Sequence, residues 1–76
     1  MNNKRRKEIQ RIIDLLTTAN MYIEQLRDDE EESRDNIPEG LTDKYDASDE
    51  ALSALDEANT QIVDIIEYLQ AAQGEQ

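Results

Sequence analysis

The sequence predicts an all-α protein, an antiparallel αα-hairpin, on three observations. Apolar residues recur in alternating steps of three and four through both halves of the chain. A proline and a glycine interrupt the pattern once, near the middle. The two apolar series also match when the chain is folded back at that point. With 76 residues the chain reads as a single helical-hairpin domain, 1–76.

The first helix is expected over about 4–34, with its seam at Ile9, Ile12, Leu16, Ala19, Ile23 and Leu26. The turn follows at about 35–42, in DNIPEG (Asp35–Gly40). Pro38 bars Ile37 from the helical region, and Gly40 is free to take a positive φ. The second helix is expected over about 43–72, with Ala51, Leu55, Ala58, Ile62, Ile65, Leu69 and Ala72 along its seam. Thr42 or Ser48 offers a side-chain cap, and Asp43, Asp46, Asp49 and Glu50 sit near its positive end. Gly74 marks its close. Folded about Pro38, opposed residues add to about 78. Ile23 then faces Leu55, Leu26 faces Leu52, and Ala19 meets Ala58. The same fold brings Arg11 near Glu67, and the KRRK cluster near Glu75.

One seam is too narrow for the apolar residues present. On the first helix they spread from Tyr22 and Leu15 on one flank to Ile13 on the other. On the second, Leu52, Val63 and Ile66 lie on one flank and Tyr68 on the other. Leaving five such side chains in water would forfeit about 1.5–3 kcal/mol each, comparable to the whole stability of a small domain. Ile13, Leu15, Tyr22, Leu52, Val63 and Ile66 are therefore the candidate self-association residues, building a homodimeric four-helix bundle unless a different protein covers them.

Charge is the compositional outlier. Eight Lys and Arg stand against 19 Asp and Glu, a net −11, with +3 in residues 1–27 and −14 in residues 28–76. The stretch DDEEESRDNIPEGLTD (Asp28–Asp43) alone sets eight acids against one arginine. Acids at a helix carboxy end oppose the macrodipole and repel one another, so local stability does not select them. The KRRK cluster at the other end of the helix is placed against the same dipole. Its expected role is pairing with acidic ends of this or a neighbouring subunit. Asp49, Asp56, Asp64 and Glu67 lie opposite the second seam, on a helix with no lysine or arginine after Lys44. Ordinary surface helices mix signs. Asn20 and Asn59 flank the seams, where an amide fixes register.

Several classes fall away. The chain has no Cys and no His, which excludes thiolate and imidazole metal sites and disulfides. The acid run lacks the D-x-D-x-D-G spacing of a calcium loop. No pocket-forming sequence, glycine-rich loop or nucleophile–base pair points to an enzyme, and no cofactor is implied. No apolar run approaches the ~20 residues of a membrane span, and the basic amino end leads into an amphipathic pattern rather than a signal sequence. A cytoplasmic protein is the expectation.

The segments NKRRKEI (Asn3–Ile9) and DNIPEGL (Asp35–Leu41), with their acidic flanks, resemble a group of small acidic helical-hairpin proteins encoded by phages and prophages of Gram-positive bacteria. The chain departs from that pattern at LTDKYDASDE, which is less uniformly charged. The resemblance implies a phage accessory protein, for which counter-defence is a common task. The bulk charge is similar to that of acidic anti-CRISPR and other DNA-mimic inhibitors.

Two functional expectations follow. In the first, the chain is a non-enzymatic inhibitor that occupies the basic groove of a host nucleic-acid enzyme such as an RNA-guided nuclease, in the host cytoplasm. Asp28, Asp29, Glu30, Glu31, Glu32 and Asp35, with Asp49, Asp56, Asp64 and Glu67, would then imitate a phosphate backbone. In the second, a homodimeric structural, assembly or regulatory module uses its apolar flanks while the acids serve solubility. A weaker variant is a phage regulator that binds a host transcription factor. None of these binds nucleic acid or membrane directly.

Overall fold

The computed structural model describes residues 1–74, in which two helices account for nearly every residue and no strand occurs. Helix α1 spans Asn3–Asp35 and α2 spans Thr42–Gln73. Their 33 and 32 residues give rods of about 50 Å each. They lie side by side in a body with Cα extents of 59 × 15 × 13 Å. The hairpin and its turn are thus where the proline, the glycine and the periodicity put them.

The ends are set by local chemistry. Asn2 is extended, and its side-chain oxygen accepts the Arg5 amide at 2.8 Å, which supplies one of the otherwise unpaired donors of the first turn. At the other end the Asn36 amide reaches the Ser33 carbonyl at 3.2 Å, and Ile37 reaches Arg34 at 3.1 Å. Leu41 N–H then closes the turn onto the Pro38 carbonyl at 3.0 Å. Gly40 does not take a positive φ, since Gly74 is the one residue with φ in that region (78°) among those described. The proline alone directs the turn. Nor do Thr42 and Ser48 cap α2. Its N-cap is Leu41, which makes no side-chain cap bond, and Ser48 lies a turn and a half inside the helix. At the carboxy end Gly74 donates to Ala71 at 3.2 Å, closing α2 as expected.

The antiparallel register follows the expected one closely. Cross-helix contacts join Glu30 to Ser48, Arg27 to Asp56, Arg34 to Asp49, and Gln73 to both Arg6 and Gln10. Their residue numbers add to between 78 and 83, against an expected 78, a spread within side-chain reach.

The seam itself runs one position away from the expected one in both helices. On α1 the inward residues are Ile9, Ile13, Leu16, Asn20, Ile23, Arg27, Glu30 and Arg34; on α2 they are Ser48, Leu52, Leu55, Asn59, Ile62, Ile66, Leu69 and Gln73. Ile13 and Leu52 are the two most buried apolar residues, at 5% and 4% exposure. Ile12, Leu26 and Ile65, expected inside, are exposed, as is Ala72, while Ala19, Ala51 and Ala58 are half-buried at its margin. Two frames were available because Ile9, Leu16, Ile23, Leu55, Ile62 and Leu69 belong to both. The adopted one buries Ile13 and Leu52 and turns Arg27 and Arg34 towards the acids of α2.

Two of the self-association candidates, Ile13 and Leu52, are buried inside the hairpin and closed to a second chain, while Ile66 is half-buried at the same seam. This frame has a measurable consequence. At concentrations where the chain is monomeric, Ile13→Ala should cost about 2–4 kcal/mol in denaturant unfolding, and Ile12→Ala clearly less. The reverse order would restore the seam through Ile12.

Candidate functional site

The turn-proximal third of the seam is polar, and it is built around two arginines seven residues apart. Arg27 Nε donates to Asp56 at 2.8 Å, and its Nη1 bonds the Glu31 carboxylate and lies 3.5 Å from Asp28. About two turns further on, Arg34 Nη1 donates to Asp49 at 2.8 Å while its guanidinium sits 5.5 Å from the Tyr45 ring centroid. Between the arginines, Ser48 Oγ donates to the Glu30 carboxylate, and Ser48 is 7% exposed. The hydrogen bond to Asp56, then that to Glu31, raises the Arg27 pKa above its ordinary value. A cation whose folded pKa is raised contributes its stabilisation below the unfolded pKa and loses it as pH climbs through the folded one. The Arg27 contribution is therefore complete at neutral pH.

This cluster answers why so many acids stand at the carboxy end of α1. Five of the ten candidate partner-binding acids are engaged within the hairpin: Asp28, Glu30, Glu31, Asp49 and Asp56. Their carboxylates remain partly open to water, but each already faces a donor. The other five, Asp29, Glu32, Asp35, Asp64 and Glu67, are exposed and make no ion pair among the described residues. The basic end differs. Lys4, Arg5, Lys7 and Arg11 make no ion pair among the described residues, so the expected Arg11–Glu67 contact does not form. The KRRK cluster does lie by the end of α2: Gln73 Nε2 donates to the Arg6 carbonyl at 3.1 Å. Glu75, its expected partner, lies outside the described residues.

The two edges of the seam have opposite character. Glu31 of α1 and Asp56 of α2 share the Arg27 guanidinium and so lie on one edge. Seven-residue spacing puts Asp49 and Val63 on this same edge of α2, with Gln10, Thr17 and Glu24 on that of α1. Val63 is 45% exposed, on the acidic side rather than on an apolar flank. In an antiparallel pair the like edges of both helices meet on one side. The opposite edge therefore gathers Ile12, Ala19 and Leu26 from α1 with Ala51, Ala58 and Ile65 from α2. Just behind them come Leu15 and Tyr22, each 64% exposed, and Tyr68, 77% exposed. Leu15 and Tyr22 thus stay available to a partner, and Ile12, Leu26, Ile65 and Tyr68 join them on one face.

Polar atoms enter the seam mid-length as well. Asn20 and Asn59 come from closely similar levels of the two helices and are half-buried, not flanking. Their Oδ1 atoms are buried without a hydrogen-bond partner, a desolvation cost carried by the middle of the seam.

Among the described residues no three His, Cys, Asp or Glu side chains are placed to hold a metal ion, and no helix is long and apolar enough to cross a membrane. Comparison with protein-family models, curated proteins and solved structures finds no match.

The polar cluster was missed in the sequence, although a signal exists. Ile13, Asn20, Arg27 and Arg34 are each seven apart and extend one helical line. Arg27→Gln should lower the thermal midpoint more than Arg11→Gln, because it leaves Asp56 and Glu31 facing each other without a cation. It should also make the midpoint rise more steeply with added salt, as screening relieves that repulsion. Equal midpoints and equal salt slopes for the two variants would remove Arg27 from this role.

Proposed function

We propose that the chain is a non-enzymatic helical interaction module that binds a helical protein surface through the apolar face of Ile12, Leu15, Tyr22 and Leu26, continued on α2 by Ile65 and Tyr68. One observation carries this reading: these large apolar side chains are 45–77% exposed, and they line up on one side of the hairpin. Scattered apolar residues on a surface are ordinary. A continuous stripe in steps of 3, 4, 3 and 4 along α1, from Ile12 to Leu26, is the pattern of a helix-packing surface. The acids on the opposite edge keep the rest of the body hydrated and repel unwanted association.

A second reading is supported by the outer surface of α2. After Lys44 this helix carries only acids among its charged residues, with Asp64 and Glu67 exposed and unpaired among the described residues. Such a surface suits the basic groove of a host nucleic-acid enzyme, as a phage-type, anti-CRISPR-like inhibitor would use it. It ranks second because half of the proposed mimic acids are already satisfied internally.

Two variants separate the readings. Leu15→Asp with Tyr22→Asp removes the apolar face without touching the seam, so circular dichroism should still show a helical hairpin. Partner capture by pull-down should then be abolished on the first reading and retained on the second. Asp64→Lys with Glu67→Lys should leave capture within a few-fold on the first reading. On the second it should abolish binding, and binding by the unaltered chain should fall steeply between low and high salt.

A further inference from the structure

We infer that the partner on the apolar face is a second copy of this chain, packed antiparallel about a two-fold axis that crosses α1 near Ala19. The inference rests on the interaction-module reading and specifies its occupant.

The first argument is steric self-complementarity. A two-fold axis lying in the contact plane and perpendicular to the helices lays α1 on the second copy's α1, and α2 on its α2, each antiparallel. With the axis at Ala19, Ile12 comes to the second copy's Leu26, and Leu15 to its Tyr22, because each pair adds to 37 or 38. The hairpin register, in which contacting residues add to 78–83, carries this axis across α2 between residues 59 and 64. An axis between Asn59 and Thr60, at the edge of that window, brings Ala51 to the second copy's Tyr68 and Ala54 to its Ile65. The stripe of α2 is alanine in its first half and bulky in its second. On α2, antiparallel self-packing sets both bulky residues, Ile65 and Tyr68, over alanines, which lets the two α2 helices approach closely.

The second argument is charge. The open end of α1 is basic and its turn end is acidic. In the antiparallel arrangement Arg5, at the border of the apolar stripe, comes level with the second copy's Glu32, the pair adding to 37, and Lys4 lies within half a turn of that level. All three are exposed and make no ion pair among the described residues. Glu8 comes level with the second copy's Asp29, and the like charges there are offset by Lys4, Arg5 and Arg11 around Glu8 on its own helix. Placing the axis along the hairpin would instead press acidic turn on acidic turn.

The test uses two exposed variants of the full chain, Lys4→Glu with Arg5→Glu, and Glu32→Lys. Each alone places like charges at both ends of the dimer. Sedimentation at low salt should show each self-associating at least tenfold more weakly than the unaltered chain. Mixed, they restore opposite charges at both ends, and native mass spectrometry should show the mixed dimer in excess of either self-dimer. Helical circular dichroism of each variant checks that the hairpin is intact. A dimer of the unaltered chain that Tyr22→Glu dissociates, but with no preference for the mixed species, overturns the antiparallel arrangement while leaving the apolar-face reading standing. A chain that stays monomeric at high micromolar concentration overturns the second copy as occupant. Capture of another protein, lost in Leu15→Asp, would then separate that failure from failure of the underlying reading.

Discussion

Two helices side by side share a single line of contact, and everything else about this hairpin follows from that limit. Each helix surrounds its own backbone with side chains over a full turn, but only about a third of that circumference meets the other helix. Both helices here carry apolar residues over a wider arc. The surplus must face outward, and the hairpin disposes of it in an orderly way. Both helices use the same pair of heptad lines for their contact, and both leave the same adjacent line exposed. Because they run antiparallel, those exposed lines converge on one side of the body. The result is a bar with one greasy face and one acidic edge, in place of a bar with apolar residues scattered round it.

The sequence disclosed the elements far better than the faces. Pro38, Gly74 and the alternating three-and-four steps mark where the helices begin and end, and the observed boundaries lie within a residue or so of those marks. The frame of contact was not legible in the same way. Counting apolar residues favours Ile12, Ala19 and Leu26 over Ile13, Asn20 and Arg27, since the second line contains an amide and a cation. Such counting prices Arg27 as if it had to leave the seam. What it omits is the long-range partner: a guanidinium at the seam is acceptable when Asp56 arrives from the other helix at 2.8 Å. That contact links residues 29 apart in sequence, and no local periodicity reports it. The candidate acids divided for the same reason. Their number was plain from composition, but which of them face an internal donor depended on where the arginines point.

The charge pattern then reads differently from a surface of uniform repulsion. Near the turn Leu52 is the one buried apolar side chain of the seam, and the seam positions facing it on α1 are polar. Arg27, Glu30, Arg34 and Ser48 with Asp49 and Asp56 replace packing with directed bonds. Exposed ion pairs contribute little individually, and this cluster is half open to water. Its value is specificity more than stability. A slide of α2 by a full turn, about 5.4 Å, would draw both arginines away from their acids. These ion pairs thus oppose sliding of one helix along the other.

Register and the outer face are coupled through that restraint. The apolar stripe on α1 is usable as a docking surface only if the stripe on α2 stays level with it. Ile12 and Leu15 come level with Ile65 and Tyr68 toward the open end, whereas Tyr22 and Leu26 come level with Ala58 and Ala54. A slipped hairpin would bury as much apolar surface in its own seam but would present a staggered, mismatched face. The arginine cluster, placed at the turn, fixes the height of α2 where the chain reverses. Polar residues inside the seam therefore determine the shape of the apolar surface outside it, which is why their cost in burial can be retained in so small a fold.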